Sequence, residues 1–175
     1  MILMHMPIKK KVPYLGLLLS FSIILSYVEF LIPFSFSIPG IKLGLSNLPV
    51  LLCIYLFGAY EAIIIALFKA ILSSLLFGNT TTMIYSISGA ILSSLVMILF
   101  KKLKKIHIVT VSILGGVFHN IGQLIIASLM LSSNSIYYYL PFLCLSGILT
   151  GGLLGLIAHL VLPYVKRIIY IGDKL

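Results

Sequence analysis

Between residues 14 and 163 the sequence is a series of apolar runs with almost nothing between them. The runs are 14–32, 43–57, 60–76, 83–100, 107–131 and 137–163. Roughly 20 apolar residues take a helix across a bilayer core. Runs of that order, closed by short turns, permit few folds, because every backbone polar group in lipid must be bonded within the protein. Composition agrees with this. Only 9% of the 175 residues are charged, against about 25% in a soluble domain. Twelve Lys and Arg and three Asp and Glu cannot cover a soluble surface. A soluble enzyme, a disordered tail and a disulfide scaffold are excluded. The sequence predicts an all-α polytopic membrane protein with six transmembrane helices. They form one domain over 14–165, between a cytoplasmic N-terminal segment 1–13 and a cytoplasmic C-terminal tail 166–175.

The breaks and the basic clusters set the expected topology. Pro33, Pro39 and Gly40 interrupt the chain after the first run. Gly58-Ala59, the GNTTT segment 78–82 and the SSNS segment 132–135 mark turns. Lys9, Lys10 and Lys11, the KKLKK segment 101–105, and Lys166-Arg167 should all be cytoplasmic. Four runs separate the first two clusters and two separate the last two. Both numbers are even, so six spans with both termini inside satisfy all three clusters. The outer connections are then 33–42, 77–82 and 132–136. The net charge of +9 lies in these clusters beside apolar runs, the pattern of orientation signals and not of nucleic-acid binding. The first run is long for a leader's apolar core and no small-x-small site follows it, so it reads as a span. The expected location is the cell membrane, with several crossings.

Polar groups inside the bilayer are costly, and each is a functional candidate. Glu29, Lys42, Asn47, Lys69, His119, Asn120 and Gln123 fall at mid-depth or in the outer half of this topology. Together they would line a substrate site open to the outside, and two lysines against one glutamate would favour an anionic ligand. Structural alternatives stand beside this reading. Lys42 can snorkel to the headgroups, Glu29 can pair with Lys42 or Lys69, and His119 can be a satisfied core histidine. Glu61 and His159 lie towards the inner face, and His159 is expected to pack. Cys53 and Cys144 read as small buried hydrophobes.

Small residues recur at four-residue spacing, which lets helix backbones approach closely in lipid. Gly147, Gly151 and Gly155 form such a row on the sixth run. Ser22 and Ser26 form a shorter one on the first, and Ser86, Ala90 and Ser94 another on the fourth. These faces either pack inside the protein or dock another membrane subunit. What is missing also constrains function. Diphosphate chemistry of the prenyl-synthase kind needs clustered aspartates for Mg²⁺, and Asp173 stands alone. There is no P-loop and no ligand spacing for zinc. The chain is not expected to be an enzyme by itself, and no cofactor is expected.

Four segments carry a resemblance: LSYVEFLIPFSFSIPGIKLGLSNLPVLL (25–52), LFKAILSSLLFGN (67–79), YSISGAILSSLVM (85–97) and GGVFHNIGQLIIA (115–127). The chain resembles the Gx transporter family, whose members are often labelled heptaprenyl diphosphate synthase component I. PGIKLGLSN and HNIGQ are its specific parts. That family is similar to the substrate-binding S components of energy-coupling-factor (ECF) transporters. The resemblance implies a six-helix bundle that binds a small molecule from outside. Its partners would be a transmembrane coupling subunit and two ATPases. Ser22 and Ser26 would lie where S components dock the coupling subunit, in place of the usual alanines. Lys69 stands where the family pattern usually has Arg, which keeps the charge but loses the bidentate fork. The label itself implies another partner, a soluble prenyl diphosphate synthase, with this chain as its non-catalytic membrane component.

Overall fold

The computed structural model describes residues 6–31, 44–103, 105–132 and 134–172, the Asn134 side chain apart. Six α-helices make up nearly all of these: α1 (Ile8–Leu31), α2 (Leu48–Leu56), α3 (Ala59–Phe77), α4 (Thr80–Lys102), α5 (Ile108–Leu131) and α6 (Leu140–Gly172). A 3-10 turn, Leu45–Asn47, leads into α2, and a second, Asn134–Tyr139, leads into α6. Among the described residues, five helices are long and apolar enough to cross a membrane.

The exception is the second run, which is short for a perpendicular span. The run 43–57 forms only the short turn and α2, whose 9 residues rise about 13 Å, half or less of a bilayer core. Every α2 residue except Tyr55 is buried. It is hydrophobic all round because protein surrounds it, not lipid. The helices α1, α3, α4 and α6 all pack on it.

Pair contacts fix the helix directions. The Lys11 ammonium donates to the Glu61 carboxylate, joining the start of α1 to the start of α3. Tyr27 and Phe30 of α1 meet Phe77 of α3, with ring centroids 5.4 and 5.8 Å apart. Hence α1 and α3 run parallel, and the chain returns to the first end between residues 32 and 58. The rest is a run of antiparallel neighbours. Asn79 caps α4 reciprocally with Thr82, each backbone N–H donating 2.8 Å to the other's side-chain oxygen. The capping box places the α3–α4 turn at the far end. Lys9, Lys10, Lys11, Lys101, Lys102, Lys166 and Arg167 consequently lie towards one end of the bundle. Lys101 also closes α2 there, donating to the Ile54 carbonyl and lying 5.1 Å from the Tyr55 ring centroid. The end of α6 continues as helix through Lys166-Arg167, with no break at 165.

The glycine row of α6 turns inward, which corrects its reading as a docking surface. A Cβ on Gly147 would lie 2.7 Å from the Val117 nitrogen. On Gly151 it would lie 2.7 Å from the Ser112 carbonyl oxygen, and on Gly155 2.7 Å from the Val109 Cα. The row lets α6 meet the α5 backbone directly and leaves no space for another chain. Ser22 is fully buried and Ser26 borders an internal cavity, so this pair faces the bundle interior as well. His159 is exposed instead of packed, 4.7 Å from the exposed His107 ring.

Candidate functional site

The brevity of α2 has a direct consequence. Its start lies at mid-depth, because Asn47 accepts a hydrogen bond from Lys69 Nζ at 2.6 Å, near the middle of α3. On the basic side of that level, α2 fills the centre of the bundle. On the other side it is gone, and a cavity of about 160 Å³ occupies the space between α1, α3, α4 and α5. The α3–α4 turn contributes Gly78 and Thr82 to its wall, so the cavity lies towards the end opposite the lysines.

The lining is polar for the interior of a membrane bundle. Five of the seven residues expected to form a site meet here: Glu29, Asn47, Lys69, His119 and Gln123. Asn120 borders a neighbouring cavity instead and donates 2.8 Å to the Leu143 carbonyl, tying α5 to the first turn of α6. Lys42 lies outside the described residues. Lys69 is only 5% exposed and His119 only 7%, so both are buried residues of the cavity wall.

Glu29 has a different job from the one its charge suggests. Its carboxylate accepts from the Gly44 N–H and, at 3.4 Å, from the Ser46 N–H. These donors open the 3-10 turn that leads into α2, where Gly44 takes a positive φ of 72°. A carboxylate there satisfies orphan N–H groups and complements the positive helix end. Glu29 thus holds the floor of the cavity in place, while Lys69, bonded to Asn47, forms part of its wall.

Hydroxyl groups were the unrecognised part of the lining. Ser26, Ser46, Ser73, Ser74, Thr82 and Ser86 all border the cavity. The Ser74 side chain is 3% exposed, and its Oγ has no hydrogen-bond partner among the described residues. A buried unpaired hydroxyl costs roughly 1–3 kcal/mol. The signal in the sequence was an excess of serine along apolar helices, which also reads as a packing pattern. Ser86 in fact belongs to the row Ser86, Ala90 and Ser94.

Close packing of α4 on α5 positions the last two side chains. Gly89 has no room for a Cβ, which would lie 2.8 Å from the His119 carbonyl oxygen and 2.9 Å from both the His119 ring and the Gln123 side chain. Ser88 Oγ donates 2.6 Å to the Gly122 carbonyl beside this contact. Among the described residues, no group of three or more His, Cys, Asp or Glu comes together to hold a metal ion.

The second cavity, of about 340 Å³, shares Thr82, Ser86 and Gln123 with the first. Its remaining wall is Tyr85, Asn120, Leu124, Ala127, Leu131, Ile136, Tyr139 and Leu143, so it is mostly apolar.

A family model described as heptaprenyl diphosphate synthase component I matches residues 18–161. The match takes in α2 through α5, most of α1 and α6, and every residue of both cavities. No curated protein and no solved structure gives a significant match.

Proposed function

The chain belongs to the heptaprenyl diphosphate synthase component I family, and from that premise we propose that it is a non-catalytic, substrate-binding protein of the bacterial plasma membrane. In this reading it is S-component-like and captures a small anionic or isoprenoid-related precursor from the outer face for uptake. The observation that carries it is the polar cavity around Lys69, sited in the half of the bundle away from the basic clusters. If those clusters are cytoplasmic, the cavity lies towards the external medium. Lys69, Asn47, His119, Gln123 and the surrounding hydroxyls would hold the ligand, and Glu29 would keep the floor in shape. The chain has no nucleotide-hydrolysing motif, so energy for uptake would come from two partner ATPases through a transmembrane coupling subunit.

The family description favours a second reading. Here the chain is the membrane component that accompanies a soluble polyprenyl diphosphate synthase. The exposed Lys102 and Lys105 would meet an acidic surface on the synthase, and the cavity would hold an isoprenoid intermediate. Native mass spectrometry of the protein, released gently from its own membrane, separates the two. A coupling subunit, two ATPases and a small bound ligand establish the transporter. A prenyl synthase in their place establishes the second reading. In either case Lys69→Met should lose the ligand mass while the protein remains folded.

A further inference from the structure

The last helix is longer than a bilayer core is thick. Its exposed apolar stripe runs from Phe142 through Leu149, Leu156 and Tyr164 to Ile171. At 1.5 Å per residue that stripe rises about 44 Å, against about 30 Å of hydrocarbon. A tilt of about 47° would be needed to absorb the difference, where an average span tilts about 20°. The excess falls at the basic end. A Cβ on Gly155 would touch Val109, in the first turn of α5, and His159 meets His107, the residue that caps that helix. Residues 160–172 therefore outlast α5. They do not leave the bundle. Leu162 and Ile169 are buried, and a Cβ on Gly172 would lie 3.1 Å from the Tyr14 hydroxyl of α1. Pro163 cannot donate to the His159 carbonyl, and it opens this segment at the kind of position where helices bend.

Three sides of the segment have three kinds of surroundings. Leu162, Val165 and Ile169, at i, i+3 and i+7, pack on the core. Tyr164, Ile168 and Ile171, at i, i+4 and i+7, are 71%, 68% and 50% exposed. Lys166 and Arg167 take the remaining side, both exposed. Among the described residues, the carboxylate at this end is Glu61, and Lys11 engages it. Lys166 also repels Lys101. The second side continues the lipid-facing stripe of α6, and the third sets cations along its edge. We propose that residues 164–172 bind an anionic phospholipid, with Tyr164, Ile168 and Ile171 among its acyl chains and Lys166 and Arg167 against its phosphate. An acidic protein surface would match the cations but leave the apolar stripe uncovered. The inference holds under either function above and rests only on the bundle's lying in a bilayer.

The test uses the full-length protein in nanodiscs of equal parts phosphatidylglycerol and phosphatidylcholine with the same acyl chains. Native mass spectrometry reads which lipid stays bound on gentle release. Each basic residue near a phosphate is worth roughly fivefold, so phosphatidylglycerol should be retained about 25-fold over phosphatidylcholine. Lys166→Gln with Arg167→Gln should bring the ratio near unity. Lys9→Gln with Lys102→Gln, an equal loss of charge on α1 and α4, should leave most of it. A nitroxide on Ile168→Cys, in a Cys53→Ala, Cys144→Ala background, should collide with oxygen more often than with a water-soluble nickel chelate. Equal loss in the two double variants would assign the preference to the overall charge of this end and overturn the site. No preference in the parent, or a nitroxide open mainly to the chelate, would overturn it too. Release from its own membrane with an acidic protein held through Lys166 and Arg167, and no lipid, would replace the lipid by a protein partner. None of these outcomes bears on the cavity around Lys69 or on the partners discussed above.

Discussion

Two charged residues at mid-depth illustrate how little a residue type says without its partners. From sequence, Glu29 and Lys69 are equivalent candidates for a ligand site. In the structure Glu29 is bonded to the backbone that opens α2, and Lys69 to a neutral amide at the cavity floor. Different outcomes follow. Glu29→Ala leaves the Gly44 and Ser46 N–H groups without their carboxylate acceptor, and bonds to a charged group contribute about 1.5–3 kcal/mol. It should lower unfolding free energy by about 2 kcal/mol in a detergent denaturation titration. Lys69→Met removes a cation but fits the same volume. It should change stability by less than about 1 kcal/mol while ligand binding is lost. Lys69→Arg should retain binding, since it restores the charge with a fork that accepts oxyanions in two places. The hydroxyls were harder to read. A serine on an apolar helix often bonds its own helix, as Ser73 Oγ does to the Ala70 carbonyl at 3.5 Å. Nothing in residue type distinguishes it from Ser74, which has no partner among the described residues.

At the scale of elements, five of the six apolar runs became long helices, although α1 begins at Ile8 and α6 runs on to Gly172, beyond the apolar runs themselves. The sixth, 43–57, did not, and its length and composition give the reason. Fifteen apolar residues are short for a span, and a run of about that length with no polar face is also what a buried core helix looks like. Hydropathy measures avoidance of water and cannot tell lipid from protein as the alternative. The glycine row of α6 was legible as a close-contact face, but four-residue spacing has no sign: it reads the same towards a helix of this chain or of another. The contact is now specific enough to test. Gly151→Val places branched carbon where a single Cβ already lies 2.7 Å from the Ser112 carbonyl oxygen. Overpacking of this kind costs about 1–3 kcal/mol, and the variant should melt several degrees lower. Gly152→Ala, where the nearest atoms are 3.9 Å away, should melt like the parent. The Lys11–Glu61 ion pair ties α1 to α3, with side chains only 7% and 15% exposed. Glu61→Gln should therefore loosen α1, read as faster amide hydrogen exchange over residues 8–15, because it removes the charge that accepts from the buried Lys11 ammonium.

For the whole molecule, the basic clusters foretold a shared end before any contact was known, and parity of the crossings made that possible. Short helix α2 does not spoil the parity, since the stretch 32–58 still returns to the starting end. Cysteine labelling checks it in a Cys53→Ala, Cys144→Ala background. A cysteine at Lys102 and one at Lys166 should react from the same membrane face, and one at Thr80 from the opposite face. Reaction of all three from one side would overturn the arrangement. The site's position was legible in the same coarse way, as polar residues at similar depth. The second, mostly apolar cavity was not, because Thr82, Ser86 and Gln123 border both cavities only once α4 and α5 are brought together at Gly89.

The mid-depth start of α2 also has an electrical meaning. Once water fills the cavity above it, the polar half of the bundle becomes a conductor reaching to Lys69. The potential across the membrane then falls almost entirely over the solid half, a plug about 13 Å long. A full crossing of one charge is worth about 2.3 kcal/mol per 100 mV, but an anion that stops at Lys69 has crossed little of that field. Its binding should be nearly indifferent to voltage. On the uptake reading, passage beyond α2 would meet the whole drop in the shortest helix of the fold.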